Sequence, residues 1–196
     1  MTATRFAVVG AGWRAEFYLR IARALPQRFE LGAAVVRDAA KGKAVERRWG
    51  IETFRTVDDL LRHYRPQFVV TCVPWEANPS VIEELAASDV PILSETPPSP
   101  DLPRLRDLWA LSQGGARVQV AEQYIQQPHH AARLALVHSG KLGTVTQAQV
   151  SACHGYHGVS LIRHYLGVGF EPVSIRARTF RAPLVEGPGR GGPPRQ

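Results

Sequence analysis

Gly10-Ala11-Gly12-Trp13-Arg14-Ala15 is the stretch whose residue types and spacing carry the most specific chemistry. It has the form G-x-G-x-x-A. The apolar run Phe6-Ala7-Val8-Val9 precedes it, and Phe17, Tyr18, Ile21, Ala22 and Leu25 follow it at helical spacing. Between a strand and a helix, each small residue has a task. Gly10 permits a tight turn, Gly12 lets the backbone approach a diphosphate, and Ala15 lets the helix pack close to the strand. The amides at the helix start, at the positive end of its dipole, would then hold the diphosphate. Gly10, Gly12, Trp13, Arg14 and Ala15 are therefore candidates for holding a dinucleotide.

The adenosine ribose of such a ligand lies at the tip of the second strand. A carboxylate there suits NAD, whereas an arginine accommodates the 2′-phosphate of NADP. The sequence offers both, in Val36-Arg37-Asp38. Arg37 at the tip favours NADP, and Asp38 favours NAD. Acid–base candidates lie further along. His154, Tyr156 and His157 cluster near the end of a predicted strand, and Tyr124 follows the end of another. A histidine titrating near neutrality suits proton transfer. His129, His130 and His138 share one predicted helix and read as surface residues, since no carboxylate or cysteine accompanies them as metal ligands do.

These residues need a scaffold, and the hydrophobic pattern supplies one. Strands are predicted at Phe6–Val9, Glu30–Val36, Phe68–Val73, Val90–Leu93 and Val118–Val120. Helices are predicted over 14–25, 39–49 with Gly50 as C-cap, 58–64, 80–87 and 102–111. Such alternation implies βαβ units and a parallel sheet. Beyond residue 121 the character changes. Pro128 opens a predicted helix to His138, Thr144–Cys153 and Val173–Phe180 alternate as half-exposed strands do, and Val159–Leu166 is helical. The expected organisation is α/β: a Rossmann-type domain over 1–121, a shortened α+β domain over 122–182, and a disordered tail over 183–196. The last sixteen residues hold eight glycines and prolines, too many for a packed element.

The bulk properties fit a soluble globular chain. Of 196 residues, 44% are hydrophobic and 21% charged. Cys72 and Cys153 lie far apart, which argues against a disulfide framework and suits a reducing cytoplasm. No apolar run approaches membrane-spanning length, and the opening apolar stretch is too short for a signal peptide. The net charge of +7 comes from scattered arginines without aromatic interleaving, so a basic surface favouring small anions is expected rather than nucleic-acid binding.

With Thr71-Cys72-Val73-Pro74, Ser94-Glu95-Thr96-Pro97 and Ser139-Gly140-Lys141-Leu142-Gly143 following the glycine turn in order, and His157 preceding Leu161 and Leu166-Gly167, the chain resembles the Gfo/Idh/MocA oxidoreductases. The resemblance runs from residue 5 to about 180. It implies hydride transfer between NAD or NADP and a small sugar, polyol or related carbonyl compound. It places Val73, Pro74, Glu95 and Pro97 at the cofactor. It gives the proton transfer to His157, with Thr96 and Tyr156 as further catalytic candidates. It also implies a homo-oligomer built through the sheet of the second domain.

The departures are specific. Thr96 stands where the family has a lysine, Cys153 where it has an aspartate, Ser160 where a carboxylate is usual, and Asn78 where a histidine is usual. A hydroxyl cannot polarise a carbonyl as an ammonium does. The alternative reading is a catalytically impaired cofactor-binding protein with a regulatory or assembly role. The second domain is also short, as in a truncated product or a chain whose sheet a partner covers.

Overall fold

In this computed structural model, residues 2–152 and 154–183 are described. The chain runs β1 (Thr4–Val9), α1 (Trp13–Ala24), β2 (Phe29–Val35), α2 (Ala39–Trp49), β3 (Glu52–Phe54), α3 (Val57–His63), β4 (Phe68–Thr71), α4 (Asn78–Ala87), β5 (Ile92–Ser94), α5 (Leu102–Gln113) and β6 (Val118–Val120). A single 3-10 turn (Tyr124–Gln126), α6 (Pro128–His138) and α7 (Gly155–Leu166) follow. The strands form one six-stranded sheet in the order β3-β2-β1-β4-β5-β6. Every pairing is parallel. This is the Rossmann-type α/β architecture anticipated from the alternating pattern.

Helices cover both faces of the central strands, which is why β1 and β4 read as continuous apolar runs. On β1, Phe6 and Val8 point to one face and pack with Ala15 and Ala22 of α1 and Val70 of β4. Ala7 and Val9 point to the other, against Val69, Leu60, Ile82 and Leu85. Leu60, Ile82 and Leu85 are wholly buried. Each contributes roughly 1.5–3 kcal/mol by leaving water. The helix ends follow their local chemistry. Asp38 caps α2 by accepting from Lys41 N at 2.8 Å, and Gly50 ends that helix in the left-handed region.

Strand order reverses between β1 and β4, and in open parallel sheets the ligand crevice lies outside the carboxyl ends at that point. The residues just past each strand are held in a row by backbone bonds to the neighbouring strand. Gly10 N donates to Val35 O, Cys72 N to Val9 O, Glu95 N to Thr71 O, and Ala121 N to Ser94 O. The glycine turn, Cys72, Glu95 and the start of the last segment therefore line one edge of the sheet in sequence.

Three expectations fail. β3 was absent from the sequence pattern; it has only the residues Glu52–Phe54 and owes its existence to pairing with Ala33–Val35. Thr144–Cys153 is not a strand across its described residues 144–152, and Val173–Phe180 is not one either. Alternation without a neighbouring strand leaves the backbone groups unpaired, so the pattern alone does not make a sheet. The second-domain sheet, expected to join copies of the chain, is thus not formed among the described residues. The compact unit spans Met1–Leu166, and Gly167–Gln196 forms a second unit. Within that second unit residues 167–183 carry no helix or strand. Residues 184–196, most of the expected disordered tail, lie outside the described residues, as does Cys153.

Candidate active site

Gly10 has φ +118, in the region only glycine adopts freely, and a Cβ there would sit 2.2 Å from the carbonyl oxygen of Cys72. The first glycine is thus required by the fold itself. Gly12 differs. It is the N-cap of α1, with φ −80 and ψ 177, and makes no side-chain capping bond. A Cβ on it would meet nothing within 4 Å. The space before the first turn of α1 is therefore open, and the orphan amides of that turn face it. An added side chain would fill the cradle a diphosphate requires, so these residues fit a dinucleotide. Ala15 is completely buried against β1 and β4, the close helix–strand approach that its small size allows.

Arg14 does not reach outward toward a phosphate. Its Nε donates to Glu95 Oε1 at 2.7 Å, and its Nη2 donates to Gln123 Oε1. Tyr18, one turn along α1, donates to the same Glu95 oxygen at 2.5 Å. A cation at a helix N-terminus opposes the dipole, and the half-buried Glu95 offsets it. Burial, then the bond to Glu95 and its charge, push the Tyr18 hydroxyl far above the ordinary phenol range. Burial and the Glu95 charge likewise push the Cys72 thiol up, so it stays protonated. Trp13 is half exposed beside this cluster, edge-on to Phe17.

The tip of β2 separates its two candidates. The Asp38 carboxylate is committed to capping α2, whereas Arg37 is exposed and has no hydrogen bond or ion pair among the described residues. After β4, Val73 packs partly buried against the core, and the Pro74 carbonyl accepts from Ala77 N and Asn78 N to start α4. Asn78 is buried and donates to Ser94 Oγ at 2.9 Å and Pro98 O at 3.2 Å. It ties α4 to β5. After β5, Glu95 is followed by Thr96 and Pro97, which are joined by a cis peptide bond.

The structure places His157 in the first turns of α7, not at a strand end. The chain enters that helix through His154, whose φ of +66 is left-handed, a conformation costing a non-glycine residue roughly 1–2 kcal/mol. His157 is 6% exposed, and its Nδ1 lies 2.5 Å from Glu122 Oε2. A carboxylate only accepts, so the proton sits on Nδ1 and Nε2 is left as the basic nitrogen. The other Glu122 oxygen accepts from Tyr124 N at 2.9 Å, which fixes the carboxylate. Tyr124 stacks on the imidazole with ring centres 4.0 Å apart and planes 6° apart. Tyr156 meets its edge at 4.5 Å and stacks on His154 at 5.4 Å.

Glu122 and Gln123 escaped the sequence, and His130 is placed differently than expected. Glu122 follows β6 at the carboxyl edge of the sheet, a position that could have drawn notice. His130, expected at the surface, is part-buried, stacks with Tyr124 at 5.8 Å between ring centres and lies 3.3 Å from the Tyr165 hydroxyl. Partial burial and the neighbouring charges of His129 and Arg133 lower its pKa.

The arrangement thus has an open diphosphate cradle at one end and a buried, oriented imidazole at the other. Among solved structures, scyllo-inositol dehydrogenase from Lactobacillus casei, crystallised with NAD(H) and scyllo-inositol, is 19% identical with TM-score 0.72, over 84% of this chain and 56% of its own. An oxidoreductase from Agrobacterium radiobacter, in complex with NAD+, L-tartaric acid and magnesium, is 18% identical with TM-score 0.72, over 85% and 55%. The WlbA dehydrogenase from Bordetella pertussis, in complex with NADH and UDP-GlcNAcA, is 21% identical with TM-score 0.65, over 72% and 44%. The chain spans about half the length of these proteins. No curated protein sequence matches it. No helix among the described residues is long and apolar enough to cross a membrane. Residues 4–122, more than half of the chain, match the oxidoreductase family with an NAD-binding Rossmann fold, and the chain belongs to this Gfo/Idh/MocA family.

Proposed function

We propose that this chain is an NADP(H)-dependent oxidoreductase acting on a small polyol, sugar or derived carbonyl compound, with His157 as its proton-transfer residue. The observation that carries this reading is the Glu122–His157 pair, which fixes the imidazole with its Nδ1 on a carboxylate and so assigns proton transfer to Nε2. When bound, the nicotinamide accepts or donates the hydride. An alcohol carbon that gives up hydride must also lose its hydroxyl proton, and Nε2 takes it. Glu122 stabilises the imidazolium so formed and keeps the ring in register. In the reducing direction the same nitrogen returns the proton. Tyr124 covers one ring face and Tyr156 packs edge-on, and together they limit water around it.

The dinucleotide is held at Gly10, Gly12 and the amides of Trp13, Arg14 and Ala15. Arg37 supports the choice of NADP, because Asp38 is already bonded in the helix cap. The polyhydroxylated ligands of the structural neighbours, inositol, tartrate and a nucleotide sugar, support the substrate class.

A second reading, a cofactor-binding protein without turnover, is favoured by Thr96, which brings no charge to the place where the family has lysine. NADPH oxidation with a panel of sugars, inosose-like ketones and aldehydes separates the two. Turnover of at least one compound, faster with NADPH than with NADH, is expected. Tight NADPH binding with no turnover, and turnover appearing only in Thr96→Lys, would establish the second reading instead.

A further inference from the structure

Glu122 and Gln123 are consecutive residues past β6, and their side chains serve opposite ends of the site. Glu122 grips the His157 imidazole, and Gln123 accepts from the guanidinium of Arg14 in the first turn of α1. We infer that Arg14 and Gln123 form a strut that positions the His157 imidazole relative to the dinucleotide cradle. Arg14 is then a positioning residue, and its side chain is not a phosphate ligand.

The geometry makes the strut stiff at each joint. Arg14 is held at its other donor by Glu95, whose backbone is fixed to the end of β4. Glu95 is held again by Tyr18 from the same helix. On the far side, the segment after β6 leaves the sheet at Ala121 N, bonded to Ser94 O, and turns at Tyr124–Gln126. From there the Gln123 side chain ties the departing segment back to α1, while Glu122 and Tyr124 tie it to α7. Within it, Glu122 Oε1 accepts from Tyr124 N and Tyr124 stacks on His157, so a movement of Gln123 moves both groups that orient the ring. A guanidinium can hold two such partners at once because its donors form a rigid planar fork.

This inference rests on the proposed role of His157 only for its kinetic consequence; the strut itself has a readout without turnover. The groups facing the imidazole are Glu122, Tyr124, Tyr156 and His154. Gln123→Leu removes the acceptor at nearly constant size, and Gln123→Glu restores one. The test follows the His157 Cε1–H resonance by NMR, with and without NADPH, and the kinetic constants of the full chain.

In Gln123→Leu the His157 resonance should shift or broaden, and kcat should fall about tenfold, while NADPH affinity stays within about twofold. Gln123→Glu should recover both. If Gln123→Leu leaves the resonance and kcat unchanged, the strut is overturned. An altered resonance in a chain that turns over nothing would uphold the strut and refute the proposed activity. A loss of NADPH affinity equal to the loss of kcat would instead make Arg14 part of the cradle, and would likewise overturn the inference.

Discussion

The start of α1 and the start of α7, which we propose serve one reaction, are built in opposite ways. Before α1 the chain has removed side chains: Gly12 leaves open space, no side chain caps the helix, and the nearby Arg14 is turned aside to Glu95. At α7 it has crowded them: His154, Tyr156, His157 and Tyr124 touch ring to ring around one carboxylate. The first end recognises with backbone amides, and so needs absence. The second, in the proposed reading, acts through one nitrogen, and so needs every neighbour that fixes it. Recognition by backbone is tolerant of most side chains beyond the glycines. Chemistry by side chain is not.

That contrast can be broken first at the two glycines. Gly10→Ala should abolish the folded state, since its φ is +118 and the new Cβ meets the Cys72 carbonyl at 2.2 Å; circular dichroism and solubility read this. Gly12→Val should leave the melting temperature within a few degrees, because the new side chain meets open space, yet weaken NADPH binding at least about 100-fold by calorimetry. Equal effects of the two changes would show that the cradle is only a structural turn.

At the crowded end, Glu122→Gln should keep the fold but lower kcat at least about 100-fold, since the amide no longer holds the tautomer or stabilises the imidazolium. Its NADPH affinity should not move. Smaller still, Arg37→Ser should narrow the preference for NADPH over NADH by about tenfold, read as the ratio of kcat/KM values.

The smallest expected effect concerns pH. The Cys72 thiol and the Tyr18 hydroxyl have folded-state pKa values raised, chiefly by burial, above their ordinary 9.0 and 10.0. The folded chain therefore holds protons that the unfolded chain releases, and stability is lost as the pH climbs past about 9. Thermal melts from pH 7 to 10.5 should show the decline, and Cys72 should resist alkylation at pH 8 until the chain unfolds.

Much of the sheet was legible because its information is local. Phe6–Val9, the Gly50 cap of α2 and Pro128 at the head of α6 each announce themselves within a few residues. β3 did not, because Glu52–Phe54 is a strand only through its pairing with β2. The alternation of 144–152 and 173–180 misled for the converse reason, being a strand pattern with no strand beside it. The site was half legible. The glycines could be read from spacing and His157 from the family resemblance, whereas Glu122 and Gln123 acquire meaning only from partners distant in the chain. Arg14 looked like part of the cradle until Glu95 was seen to hold it.

The most direct test replaces His157 with asparagine, whose amide can still donate to Glu122 but which lacks the basic nitrogen. NADPH-dependent turnover of the best substrate in the panel should fall at least about 100-fold while NADPH affinity and melting temperature hold. Turnover by His157→Asn at the rate of the unaltered chain would contradict the account.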